Sequence, residues 1–413
     1  MSIISPKQKI INDPVHGFIN IPANLAYELI AHPYMQRLRN IKQAGLTYLV
    51  YPGACHNRFQ HALGAMHLMT QAIEALQSKG HEISDEEKEA AQCAILLHDI
   101  GHGPFSHTLE HSIVESIDHE ELSLLLMNDL NKQLNGRLNM ALQIFTDTYP
   151  KRFLHQLVSS QLDVDRLDYL SRDSFFSGVA EGMIGLERII KMLNISDGEL
   201  VVEAKAIYSI EKFLISRHLM YWQVYLHKTV ISAEQLLTKI LQRAKELSRK
   251  GEDLFASPSL NFFLHKTINI GEFKNADNLA DSPLEHFAQL TDSDVDCAIS
   301  VWAKHSDRIL SELCQSLLSR KLFRVEMSNN PFDEGRVKEK QQEVRQNLKL
   351  SEEDVTYFVT HTDVSNKAYA KSDNPIKILY NNGDLKDVTE VSDILRSVAF
   401  SDITRKYILC YPK

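Results

Sequence analysis

The apolar positions of this chain recur mostly at helical spacing. Residues 24–42 read as a helical segment interrupted at Pro33. From His61 to Leu76 a second helix turns Leu63, Met66, Ile73 and Leu76 inward, with Gly80 beyond its end as a stop. Ser84-Asp85-Glu86-Glu87 has the form of a capping box and opens a helix running through Ala91 and Ile95 to His98. Gly101 and Gly103-Pro104 break that helix at once. Further helices are expected over about 154–172, over a long amphipathic stretch at about 206–248, and within 283–320. Short β-rich runs follow at 322–327, 355–360, 376–380 and 407–411, and Asn382-Gly383 supplies a tight turn after the third. The charged stretch 333–353 reads as a solvated helix or linker. The pattern predicts a mainly α protein, with a helical region over residues 1–320 and a small mixed α+β region over 321–413. No internal repeat is visible.

Composition sharpens this picture. The chain has 16 Gly and 12 Pro in 413 residues, about 7% against a usual 12% or so, which favours long helices and excludes collagen-like or low-complexity readings. With 45 Lys+Arg against 54 Asp+Glu, the net charge is −9. The surface as a whole is therefore not built to attract nucleic acid or an anionic membrane, and a phosphate site must be a local basic pocket. No stretch approaches the roughly 20 apolar residues of a membrane span, and the opening MSIISPKQKI lacks a signal-peptide core. The five cysteines are scattered without a CxxC pair, which points to a reducing, cytoplasmic setting and leaves His, Asp and Glu as metal ligands.

The histidines are concentrated: 11 of 18 fall in the first 120 residues. The informative group is His98-Asp99-Ile100-Gly101-His102-Gly103-Pro104-Phe105-Ser106-His107, an adjacent His-Asp pair at a helix end followed by glycines that let backbone and ligand come close. His61 lies near the start of the preceding helix, and Asp163, Asp165 or Asp168 can supply a downstream acid. Two imidazoles and two carboxylates suit a divalent ion such as Fe, Mn, Ni, Co or Zn with positions left for water and phosphate oxygen, rather than a closed structural zinc site. On the helix over 154–172, Asp165, Tyr169 and Asp173 share a stripe at i, i+4, i+8, with Arg166 beside them. Arg217, Tyr221 and Tyr225 do the same on the long helix, with Lys228 one further turn along.

The His…His-Asp…Asp pattern resembles the HD-domain metal-dependent phosphohydrolases. It is similar in particular to their deoxynucleoside triphosphate triphosphohydrolase branch, typified by the sterile-alpha-motif/HD-domain enzyme. The segments 12–17, 36–39, 52–54, 56–61, 98–107 and 163–173 carry the resemblance in order and spacing. It covers about residues 9–250, weakens through about 320, and gives the core of such an enzyme without the sterile-alpha-motif region.

The resemblance implies His61, His98, Asp99 and Asp165 as metal ligands, with Asp163 and Asp168 in supporting roles. It implies His102, His107 and His119 as catalytic and phosphate-contacting histidines, with Glu110 orienting one of them. A protonated imidazole there, its pKa held up by a carboxylate, would protonate the leaving 5′-oxygen. Arg58, Arg166 and Arg217 become phosphate ligands, Gln43 and Asp173 lie near the sugar 3′-hydroxyl, Tyr225 packs on the sugar, and Tyr169 contacts sugar and phosphate. Lys9, Asn12, Gln36, Arg39 and Lys228 resemble parts of an activator-nucleotide site between subunits, so a homo-oligomer (dimer or tetramer) is expected. Ala31 stands where the best-known relative has an acid that reads a guanine edge.

The expected reaction is hydrolysis of a dNTP, carried with Mg, to deoxynucleoside and inorganic triphosphate. The competing readings are an HD-type phosphodiesterase or nucleotidase and a non-catalytic nucleotide sensor. There is no GxxxxGK[ST] string, which excludes a P-loop NTPase.

Overall fold

A computed structural model of the chain describes residues 9–105, 118–274, 282–366, 369, 374–397 and 404–413. The mainly α class holds, with 59% helix and 12% strand. A hairpin, β1 (Lys9–Asp13) and β2 (Gly17–Ile21), comes first, followed by α1 (Leu25–Ala31) and α2 (Pro33–Arg37). The break between these two helices falls where expected: His32 is extended and caps α2, whose first residue is Pro33. Then come α3 (Arg58–Ser78) and α4 (Asp85–Leu97). The predicted box at Ser84 is present, with Ser84 Oγ accepting from Glu87 N and Glu87 accepting from Ser84 N. After α5 (His119–Gln133), α6 (Asn139–Phe145) and α7 (Arg152–Val158) comes α8 (Val164–Ser177), which packs with α4 against α3.

Two expected helices are divided. The segment at 154–172 breaks after Val158 because Asp163 turns its carboxylate onto local backbone, accepting from Ser160 N at 2.8 Å and Arg166 N at 2.7 Å, and so starts α8 afresh. The segment at 206–248 becomes α10 (Ile207–Met220), a π-helical turn at Tyr221–Tyr225, and α11 (Lys228–Arg249), which begins at a His227 cap. Lys228 is thus the exposed first residue of a new helix instead of the next position on the Arg217 stripe.

Between these, α9 (Leu186–Lys191) leads into a hairpin of β3 (Leu193–Ser196) and β4 (Glu199–Glu203). The expected helical stretch 283–320 holds α14 (Pro283–Gln289), α15 (Asp292–Trp302) and α16 (Arg308–Leu318), after α12 (Pro258–His265) and α13 (Ile270–Lys274). The charged stretch forms α17 (Glu334–Leu348). The run at 355–360 is a 3₁₀ turn over Asp354–Tyr357, and its strand starts only at Thr360. Strands β5 (Arg324–Ser328), β9 (Thr404–Tyr411) and β6 (Thr360–Asn366) form an antiparallel sheet in that order. A second sheet has the order β3-β4-β7-β8, with β7 at Lys377–Leu379 and β8 at Leu385–Asp387. Its central pair, β4 with β7, is parallel and joins residues from both sides of position 320. Among the described residues no helix is long and apolar enough to cross a membrane.

Candidate metal centre and active site

The centre is assembled from the ends of three helices. Asn57 caps α3 through a reciprocal box with Gln60, which puts Arg58 at the first helical position and His61 one turn in. His98 is the residue that closes α4, and Asp165 lies in the first turn of α8. His61, His98 and Asp99 bring ligand atoms within 4.8 Å of one another. Asp165 Oδ1 faces both imidazoles, 3.1 Å from His61 Nε2 and 3.4 Å from His98 Nε2.

The donor chemistry fits a cation. His61 Nδ1 is 2.7 Å from Asp168 Oδ2 and His98 Nδ1 is 2.7 Å from the Ile95 carbonyl, so each ring gives its Nδ1–H outward and aims Nε2 at the centre. Both Nε2 atoms are buried without a well-aligned hydrogen bond. Burial opposes a charge on His61, yet its bonds to Asp165 and Asp168 hold it up at about 10; His98 is raised against burial by Asp99 and Asp165. Against burial, Asp99 is held well below the usual carboxylate range by His98, His102 and Arg58, and Asp165 by His61 and His98. Without an ion the site holds on to protons. A divalent cation supplies the same positive charge to His61, His98, Asp99 and Asp165.

The three candidate acids separate by environment. Asp165 keeps 24% of its side chain exposed, whereas Asp163 and Asp168 keep none. Asp163 is the α8 cap and pairs with Arg166. Asp168 accepts from Arg172 (2.9 Å) and meets His16 (2.6 Å) and His61; Arg172 also bonds Asp13 at 2.8 Å. This buried group locks the ring of His61. Gly64 admits it, since a Cβ there would lie 2.0 Å from Asp168 Oδ1 and 2.2 Å from an Arg172 nitrogen.

Arg58, expected at phosphate, here bonds Asp99 Oδ2 at 2.5 Å. His102 Nε2 is 3.3 Å from Asp99 Oδ1, and its ring stacks on His119 at 4.0 Å. The expected raised pKa is not found at His102: burial first, then Arg58, push it down to about 3 and outweigh Asp99. His102 is therefore a neutral imidazole at neutral pH. His107 and Glu110 lie outside the described residues.

Along α8, Tyr169 feels the charges of Arg217, Arg166 and Asp165, which share its surroundings. Arg217 reaches Gln161 at 3.4 Å. One turn further, Asp173 Oδ1 meets His56 Nε2 at 2.6 Å and its Oδ2 accepts from the Tyr225 hydroxyl at 2.5 Å. Burial and Asp173 raise the Tyr225 pKa well above the phenol value, so it stays a donor. Gln43 bonds the His56 carbonyl through its backbone N–H, and its side-chain oxygen is buried without a hydrogen-bond partner among the described residues. His56, stacked on Phe176 at 4.6 Å, and the group of Asp13, His16 and Arg172 are participants that spacing along the sequence did not single out.

Gln36 and Arg39 bond each other at 2.8 Å, and Arg39 lies over Phe59 at 3.7 Å. Lys9 pairs with Tyr27, Asn12 is exposed on β1, and Lys228 stands exposed at the start of α11.

A helical site of two histidines and two aspartates with an adjacent arginine defines a metal-centred hydrolase. The HD domain model matches residues 58–173 and the HD-associated region model matches 184–256. A crystal structure of a phosphohydrolase from Bacteroides thetaiotaomicron superposes with a TM-score of 0.94 at 53% identity, over 98% of this chain and 100% of that one. The uncharacterised protein YwfO of Bacillus subtilis is 33% identical over 98% of this chain and 93% of its own. Human deoxynucleoside triphosphate triphosphohydrolase SAMHD1 is 31% identical over 58% of this chain and 45% of its own length, so this chain spans about half of that enzyme. The chain belongs to the HD-domain phosphohydrolase family.

Proposed function

We propose that the protein hydrolyses deoxynucleoside triphosphates to deoxynucleoside and inorganic triphosphate by water attack at the α-phosphorus. The observation that carries this reading is the layout of α8. Asp165 at one end faces the histidines, and Asp173, eight residues or about 12 Å of helix rise further on, belongs to a cluster with Tyr225 and His56. Arg166 and Tyr169 fall between them along the helix, and the charge of Arg217 acts on Tyr169. A sugar on Asp173 and Gln43, with Tyr225 covering it, leaves the α-phosphate as the group nearest the acids and histidines. Arg166, Arg217 and a displaced Arg58 are then the cations for the remaining charge.

A divalent ion held by His61, His98, Asp99 and Asp165 would polarise the phosphoryl oxygen and lower the pKa of the attacking water. Neutral His102 can accept a proton and pass one on toward the leaving 5′-oxygen, beside His119. The deoxynucleoside triphosphate triphosphohydrolase activity of relatives 29% and 31% identical supports this reading.

Incubating the purified protein with Mn²⁺ or Mg²⁺ and each dNTP or NTP, with products separated by chromatography, tests it. Deoxynucleoside should form from dNTPs at least tenfold faster than nucleoside from NTPs. Release of orthophosphate or a monophosphate favours the phosphatase or phosphodiesterase reading, and binding without turnover favours a sensor.

The same reading includes a homo-oligomer that binds an activating nucleotide through Lys9, Asn12, Gln36, Arg39 and Lys228. Light scattering at micromolar protein should show a dimer or tetramer that dNTP stabilises. A fully active monomer overturns that part.

A further inference from the structure

The loop that carries Asp99 and His102 is held through its backbone by residues from other elements. Arg37, at the end of α2, is 5% exposed. Its Nη1 donates to the Leu290 carbonyl at 3.0 Å, and its Nη2 donates to the carbonyls of Ile100 at 2.8 Å and His102 at 2.9 Å. Asp292, the first residue of α15, is 3% exposed. Its Oδ1 accepts from Phe105 N at 3.1 Å and its Oδ2 from Lys42 N at 2.9 Å. Phe105 sits in the left-handed region at φ 51°, a conformation that a bulky residue keeps only when its surroundings impose it. From a third side, Ser123 on α5 donates to the His98 carbonyl at 2.7 Å and accepts from Gly101 N at 2.9 Å.

We infer that Arg37 and Asp292 are positioning residues: two buried charged side chains from distant parts of the chain, Arg37 on carbonyls and Asp292 on backbone N–H groups and the Lys42 ammonium at 3.4 Å, fix the backbone of residues 99–105 and so the placement of Asp99 and His102. Both lie outside the stretches 58–173 and 184–256 that match the family models. The energetics favour this role over simple core filling. A guanidinium buried on carbonyls alone loses hydration that no carboxylate hydrogen bond returns, a cost that an apolar side chain filling the same space would not carry. Methionine would pack on the Phe287 ring, which lies 5.2 Å from the Arg37 guanidinium carbon. What methionine cannot supply is three directed hydrogen bonds.

The role in turnover rests on the proposed reaction; the role in holding the loop does not. The test compares wild type with Arg37→Met, Arg37→Lys and Asp292→Asn in the full chain. It follows Mn²⁺ binding by electron paramagnetic resonance, amide exchange at Gly101, His102 and Phe105, thermal midpoint, and kcat and KM with dGTP. For Arg37→Met, Mn²⁺ should bind about 10–100-fold more weakly, and the loop amides should exchange at least tenfold faster. Its kcat should fall about 100-fold with KM within threefold, while the thermal midpoint stays within a few degrees. Arg37→Lys should fall between wild type and Arg37→Met, and Asp292→Asn should release the Phe105 amide first. Wild-type Mn²⁺ affinity and loop exchange in Arg37→Met overturn the inference, as does the same result in Arg37→Lys if Arg37→Met does not fold. If wild type turns over no dNTP, the reaction is wrong, and Mn²⁺ binding and exchange still decide the clamp.

Discussion

Asp165→Asn should leave the protein folded but nearly free of divalent metal and inactive, with turnover down at least a thousandfold. Asp165 is the one acid of the three whose carboxylate faces both imidazole Nε2 atoms and is still partly open to a substrate. The amide removes a negative charge from a set in which two neutral imidazoles need carboxylates to hold a cation. Asp163→Asn provides the contrast. Its carboxylate caps α8 and pairs with Arg166, so this variant should lose about 1 kcal/mol of stability and keep its metal. Elemental analysis of both proteins after gel filtration decides the matter. Equal metal in Asp165→Asn and wild type would assign the fourth ligand elsewhere.

Gly64→Ala should be among the most damaging single changes in the chain, although alanine favours a helix by about 1 kcal/mol over glycine. The new Cβ would fall 2.0 Å from Asp168 Oδ1 and 2.2 Å from an Arg172 nitrogen. Neither can step aside, because Asp168 is bound to His16, His61 and Arg172, and Arg172 to Asp13, all with little or no exposure. Breaking a buried ion pair costs about 3–5 kcal/mol, which outweighs the helix gain. Urea denaturation at pH 7 should show a net loss of about 2–4 kcal/mol, and Mn²⁺ should bind more weakly because His61 loses the carboxylate that orients it. The sign of the pH dependence follows from Asp168. Burial opposes its ionisation, but Arg172, His16 and His61 hold its carboxyl well below the usual range. Its contribution is present above the unfolded-state value of about 4 and is lost as pH falls toward the folded-state value. The deficit of Gly64→Ala should therefore narrow in acid. A variant as stable as wild type at pH 7 would show that the network rearranges freely.

The helical frame was legible because its signals are local. Ser84 and Glu87 form their box, Pro33 opens a new helix, and Gly80 ends α3 with φ 88°. The division at Asp163 was legible too, had the acid been read as a helix cap and not only as a candidate downstream acid. Asp197-Gly198, with φ of 53° and 78°, joins β3 to β4 and is a strong hairpin signal that the helix-rich context masked. The parallel pairing of β4 with β7 is different in kind: Val202 meets Ile378 across more than 170 residues, and no local pattern encodes such a contact.

The site divides in the same way. The ligand types and the α8 stripe follow from spacing, and the structure brings His61, His98, Asp99 and Asp165 together. The low pKa of His102 depends on burial and on Arg58, and the hold of Arg37 and Asp292 on the loop depends on backbone positions. Neither can be read from residue types.

The most direct test of the proposed reaction is phosphorus NMR of dGTP turned over by the Mn²⁺-loaded protein in water half enriched in oxygen-18. Inorganic triphosphate with one labelled oxygen on a terminal phosphorus is expected beside unlabelled deoxyguanosine, because water attacks the α-phosphorus and the 5′-oxygen leaves with the sugar. A nucleoside mono- or diphosphate as first product, or label in the nucleoside, would contradict it.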